Sequence, residues 1–158
     1  MIINSEKELI QEVVKLKSQW KKIITTNWCF DIIHPGHIET FRQAKNMWDI
    51  LIVLVNSDNN PYFHTKPGRP INNEVSRMIM LDAIKYIDFV RSFSEQTPVS
   101  LLEKISPDIH IKGGDYIKEN LPEYAVVKQY WGNVEIIPTV WGYSTTGIIE
   151  RIIGVYWK

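Results

Sequence analysis

The chain has a single cysteine, Cys29, in 158 residues. That excludes an internal disulfide and a zinc site built from several thiolates, and it fits a reducing compartment. It also has no excess charge: 18 basic residues balance 18 acidic ones. No global field is then available to hold a nucleic acid or an anionic membrane surface, so any phosphate must be bound locally. No apolar run approaches the roughly 18 residues of a spanning helix. The start Met1-Ile-Ile-Asn-Ser-Glu6 has no basic segment leading into an apolar one, so no secretory leader is expected and a cytoplasmic location follows. Repeats and low-complexity segments are missing as well. What is present is the balance of an ordinary globular protein, 44% hydrophobic and 23% charged, at a length that suits one domain, one core and one site.

Apolar positions Leu9, Ile10, Val13, Val14 and Leu16 recur at helical spacing after Ser5-Glu-Lys-Glu8, which has the form of a capping box. A helix over about 5–19 is expected, so the domain 1–158 divides into an N-terminal helix at 1–20 and an α/β core at 21–158. Short apolar, β-branched runs at 22–26, 49–55, 86–90, 108–112 and 134–137 read as strands, the second buried on both faces. Helices are expected near 36–47, 73–84, 97–105, with Thr97 as cap, 121–131 and 144–154. Residues 59–73, which carry Pro61, Pro67, Gly68 and Pro70, read as a mobile surface loop. Strands alternating with helices predict an α/β Rossmann-like fold, a doubly wound parallel sheet of about five strands with helices on both faces and ligands beyond the strand C-termini.

Three polar segments fall at those C-termini or at helix starts: Asn27 to His37, Lys112 to Tyr116, and Ser144 to Thr146. The first sets His34 and His37 three apart across Pro35-Gly36 where a helix opens, so both imidazoles can reach one anion, and Gly36 admits close approach of the backbone. A histidine pair in a loop is more often plain surface polarity, and a zinc site is disfavoured because the glutamate and the i,i+4 spacing of a helical zinc motif are missing. Ser144-Thr145-Thr146 reads first as a helix cap, the more frequent use of such residues, which is compatible with a phosphate clamp. Lys112-Gly113-Gly114-Asp115 reads as a turn or as a close approach to a nucleotide or its metal. Lys66 and Arg69 are either loop charges in solvent or cations that close over phosphates. His64 and His110 read as structural. Trp48, Trp131, Trp141 and Trp157 read as core or interface, whereas Trp28 sits inside the candidate site.

With these residues in view, the chain resembles the cytidylyltransferase-like nucleotidyltransferase superfamily, and within it the adenylyltransferase domain of ADP-heptose synthase. Matching elements are Thr26-Asn27, Cys29-Phe-Asp-Ile-Ile-His-Pro-Gly-His37, Val55-Asn-Ser-Asp58, Gly68-Arg-Pro70, Arg77-Met78, Lys112-Gly-Gly-Asp-Tyr116 and Ser144-Thr-Thr146. The resemblance implies transfer of AMP from ATP to a sugar 1-phosphate such as heptose 1-phosphate, in sugar-nucleotide or lipopolysaccharide biosynthesis, by direct attack with release of pyrophosphate. It implies catalysis by His34 and His37, with Lys66 in the place of a family lysine. Nucleotide contacts would come from Thr26, Asn27, Cys29, Phe30, Asp31, Gly36, Asn56, Arg69, Arg77, Lys112, Gly113, Gly114, Asp115, Ser144, Thr145 and Thr146. Mg²⁺ would span the phosphates and meet Asp31, Asp115 or both, and a homodimer is expected, with neither nucleic acid nor membrane as partner.

Three positions depart from the family pattern. Trp28 stands where a glycine is usual, Lys66 lies one position beyond the family lysine, and Glu150, beside Arg151, replaces a basic residue. Two rival readings remain. One is a CTP-dependent enzyme acting on glycerol 3-phosphate or another alcohol phosphate, against which stands the lack of an arginine in Thr139-Val-Trp-Gly-Tyr143. The other is a non-catalytic nucleotide-binding protein, against which stands the retained histidine pair.

Overall fold

A computed structural model describes residues 1–138, 140 and 142–157. Ser5 opens helix α1 (Glu6–Ser18), its Oγ accepting the Glu8 N–H, while the Glu8 carboxylate accepts from the amide of Asn4. This is a capping box with its return bond displaced by one residue. Strand β1 (Ile23–Trp28) follows, then α2 (Pro35–Met47), β2 (Ile50–Asn56), a 3-10 turn (Pro61–Thr65), α3 (Glu74–Asp82), β3 (Phe89–Phe93), α4 (Val99–Ile105) and β4 (Ile109–Gly113). A second 3-10 turn (Lys118–Asn120), α5 (Pro122–Gln129), β5 (Asn133–Ile137) and α6 (Thr145–Tyr156) complete the order.

The five strands form one sheet in the order β3-β2-β1-β4-β5, every pair parallel, so the expected doubly wound α/β architecture is what the chain adopts. Leu9, Val13, Leu101, Leu102, Ile105, Val126 and Val127 from α1, α4 and α5 pack one face. Phe41, Ala44, Met78 and Leu81 from α2 and α3 pack the other. Covered on both sides, β2 buries the whole run from Leu51 to Asn56, at about 1.5–3 kcal/mol for each large apolar side chain. The order in which strands are added reverses between β1 and β4, which run parallel with Thr26 opposite Ile111. The segments leaving those two strands therefore emerge side by side at the C-terminal rim.

Several elements differ from the sequence expectation. The third strand starts at Phe89, not Tyr86, because the chain is still turning after α3: Ile84 donates to Leu81 O and Ile87 to Ile84 O. Asp88 then ties into the sheet by accepting the Leu51 N–H. Thr97 does not cap α4, whose N-cap is Pro98 with no side-chain bond. The segment 59–73 holds a 3-10 turn capped by Asn60 and anchored by buried Phe63. Among the tryptophans expected in a core or interface, Trp131 and Trp157 are 97% and 81% exposed and Trp48 is exposed too, so none of the three is core. Thr139 and Trp141 lie outside the described residues.

Candidate active site

The polar segments converge on one cleft of about 370 Å³ at the C-terminal rim. Of the residues expected there, all but Asn56, Arg77 and Lys112 line it: Thr26, Asn27, Cys29, Phe30, Asp31, His34, Gly36, His37, Lys66, Arg69, Gly113, Gly114, Asp115, Ser144, Thr145 and Thr146. Trp28, Thr40, Tyr62, Phe63, Tyr116, Val140 and Tyr143 complete the lining.

His34 is the N-cap of α2, with Pro35 in its first turn, and its side chain makes no cap bond, so the imidazole is free to face the cleft. A Cβ at position 36 would stand 3.0 Å from His34 Nδ1, so glycine is what lets that ring lie over the helix start. The His34 and His37 rings stack with centroids 3.7 Å apart, and Phe30 meets His37 edge-on at 5.3 Å. Phe30 is held at φ 51°, a left-handed backbone that a bulky residue seldom adopts and that costs on the order of 1–3 kcal/mol. Burial, and then the neighbouring His34, push the His37 pKa down to about 3, and burial lowers that of His34. Both rings are neutral in the free protein. Each keeps a buried Nδ1 with no hydrogen-bond partner among the described residues.

A second helix N-terminus enters the cleft at α6, where Ser144 caps by accepting the Gly147 N–H at 3.0 Å. Ser144 is thus a cap, and the clamp remains open to it through the backbone amides that every helix start leaves free. Arg69 spans toward this helix, its Nη2 3.4 Å from Thr146 Oγ1 and its Nη1 3.7 Å from Asp31 Oδ2. Asp31, 2% exposed, accepts the backbone N–H groups of Ile71 and Asn72 on Oδ1 at 2.8 and 2.9 Å. Its Oδ2 makes no hydrogen bond among the described residues. Gly114, at φ 137°, brings the chain so close to Tyr116 that a Cβ there would lie 2.8 Å from the ring. Burial raises the pKa of the Cys29 thiol to about 12, which favours the thiol over the thiolate.

Arg77 and Asn56 stand behind the cleft lining and bond to the frame. Arg77 is fully buried and donates to the carbonyls of Cys29, Asn56 and Asn72 and to the Asp58 carboxylate. It fastens the exits of β1 and β2 to α3, and Asn56 takes part through its backbone. Lys112 is also buried, bonded to Asn27 and Glu123, and burial lowers its pKa against the pull of Glu123. Glu123 and Tyr62 were not foreseen: nothing around either marks it in the sequence. Tyr116 stood within the quoted Lys112-to-Tyr116 segment. Glu150 and Arg151 lie on α6 outside the cleft lining. His110, fully buried against Thr25 Oγ1 at 2.8 Å, is structural as expected, and His64 is an exposed loop group.

Residues 26–151 match the cytidylyltransferase-like family model. The chain belongs to that family. Curated relatives include the bifunctional protein HldE of Marinomonas sp. (strain MWYL1), 42% identical over 147 residues, and that of Haemophilus influenzae (strain ATCC 51907 / DSM 11121 / KW20 / Rd), 42% identical over 153 residues. These matches cover 93% and 95% of this chain but only 31% and 32% of the relatives, so the chain spans about a third of their length. Among solved structures, a lipopolysaccharide core biosynthesis protein from Thermoplasma volcanium GSS1 superposes with TM-score 0.61 at 24% identity, over 76% of this chain and 97% of that one. A pantoate-beta-alanine ligase from Francisella tularensis, complexed with beta-gamma ATP and beta-alanine, superposes with TM-score 0.62 at 16% identity, over 93% and 69%. At those identities the two structures speak for the fold alone. Family membership and the HldE relatives make nucleotidyl transfer the class of activity.

Proposed function

We propose that this chain transfers AMP from ATP to a sugar 1-phosphate of the heptose 1-phosphate kind, releasing pyrophosphate. The observation that carries the reading is the stacked His34–His37 pair, lining the cleft with each Nδ1 unpartnered among the described residues, at one of two helix N-termini that open into a single cleft. An oxygen of the acceptor phosphate attacks the α-phosphorus of ATP. The bond from that phosphorus to the bridging oxygen breaks, and pyrophosphate leaves with its electron pair, with no covalent enzyme intermediate. Catalysis is then positioning and stabilisation of charge. Neutral His34 and His37 donate N–H to the α-phosphate and the bridging oxygen. The α6 amides, Thr145, Thr146 and Arg69 hold the outer phosphates, with Lys66 closing from the loop.

Among the described residues no cluster of three or more His, Cys, Asp or Glu side chains forms a metal cage. This suits Mg²⁺, which keeps waters and phosphate oxygens as most of its ligands. The carboxylates that would meet it are the exposed Asp115 and Asp31, whose buried Oδ2 faces Arg69 Nη1 at 3.7 Å and has no hydrogen-bond partner among the described residues. When bound it neutralises phosphate charge. The HldE similarity favours ATP and a sugar phosphate over CTP and an alcohol phosphate.

The test is release of pyrophosphate when Mg²⁺, ATP and a sugar 1-phosphate are combined. His37→Ala is expected to lower that rate by about 100- to 1000-fold, the effect of losing one charge-stabilising donor. A rate within a few-fold of wild type would remove His37 from the chemistry.

A further inference from the structure

Lys112 was expected to contact the nucleotide, yet the fold has engaged its charge. It is 6% exposed, its Nζ donates to Glu123 Oε1 at 2.8 Å and to Asn27 Oδ1 at 2.6 Å, and it lies 5.5 Å from the centroid of the Trp28 ring. An ammonium has donors and no acceptor. The atom of the Asn27 amide that faces Lys112 must therefore be oxygen, and Nδ2 must point the other way. Asn27 makes no other side-chain hydrogen bond among the described residues, its Nδ2 is not a sealed, partnerless atom, and the residue lines the cleft. Two N–H bonds of fixed direction are left for a ligand.

The surroundings say what kind of ligand. Trp28 packs against Tyr62 at 5.9 Å and Tyr116 at 6.4 Å. Lys112, the cation bonded to this amide, is balanced by buried Glu123, whereas Arg69, Lys66 and the two helix N-termini supply positive charge elsewhere in the lining. Aromatic walls with a neutral amide donor suit an uncharged ring bearing lone pairs, not a phosphate.

We propose that Lys112 and Glu123 are positioning residues that lock the Asn27 amide, so that its Nδ2 donates to a lone pair on the uncharged part of a substrate seated against Trp28 and Tyr116. That part is the ring of the acceptor or the nucleoside of the nucleotide. The assignment rests on the nucleotidyl-transfer reading.

The test is a double-mutant cycle on the full chain. Lys112→Met with Glu123→Leu removes a buried ion pair as a unit, a change that folds commonly tolerate, and frees the amide. Asn27→Ala removes the donor, and the triple variant joins them. The paired variant is expected to raise KM for one substrate about 5- to 10-fold, the worth of one hydrogen bond, with kcat changed less. Asn27→Ala should raise the same KM, and the triple variant should be no worse than Asn27→Ala alone. A rise in acceptor KM identifies the sugar ring as the occupant, and a rise in nucleotide KM the nucleoside. Wild-type KM for both substrates in the paired variant overturns the proposal. So does a paired effect of the same size in the Asn27→Ala background. If the wild-type chain binds but does not turn over, the same cycle is read on Kd, which keeps failure of this inference distinct from failure of the transfer reading.

Discussion

His34 and His37 were a weak signal by spacing, because two histidines three apart in a loop have many innocent explanations. Their weight comes from half-buried rings whose sealed Nδ1 atoms have no partner among the described residues, which sequence does not display. The same burial sets a pH dependence. Burial pushes the His37 pKa down to about 3, and desolvation lowers those of His34 and His110, against about 6.5 when unfolded. The unfolded chain thus takes up protons that the fold refuses. The stability these groups contribute is present above about pH 6.5 and drains away as pH falls toward 3. Urea melts at pH 7, 6, 5 and 4 should show the decline, and His37→Gln should flatten it; an equal slope in the variant would show that His37 is not held neutral. Arg77 teaches the complementary lesson. Its side chain was read as a nucleotide cation because it lies in a matching motif, but full burial with four bonds to the frame is a property of three-dimensional packing.

At the scale of elements, the apolar run of β2 and the capped start of α1 were legible because each reflects a local rule: burial on both faces, and a hydroxyl satisfying free amides. The edge strand β3 was misplaced because its second half, Arg91 and Ser92, is polar where an edge strand can afford to be, and because the turns after α3 consume the apolar Tyr86 and Ile87. The 59–73 segment was read as unstructured from its prolines and glycine, yet its end is fastened to the cleft floor by Asp31. Asp31→Ala removes two charge-assisted bonds to the Ile71 and Asn72 amides. It should cost about 2–4 kcal/mol in a denaturant titration and speed proteolytic cutting between residues 66 and 72. Unchanged stability and cutting would show that the loop holds its place without Asp31.

For the whole molecule, the sheet order and the reversal between β1 and β4 explain why segments more than a hundred residues apart meet. That much followed from alternating strands and helices. The homodimer expected from the resemblance has a candidate surface in the C-terminal helix. No residue of α6 is buried, and Ile152, Ile153, Val155, Tyr156 and Trp157 are exposed along it, more apolar helix than a monomer usually shows to water. We propose that a second copy covers it through a self-complementary contact. Light scattering at tens of micromolar is expected to give twice the 18.5 kDa chain mass, and Ile152→Glu with Ile153→Glu to give the chain mass with the fold intact; a wild-type monomer would contradict the pairing. The central claim concerns the cleft, and one measurement bears on it most directly: product analysis with Mg²⁺, each of four nucleoside triphosphates, and a panel of sugar 1-phosphates. The expected result is pyrophosphate together with an ADP-sugar, formed from ATP in preference to CTP. Nucleotide binding with no turnover on any acceptor would contradict it.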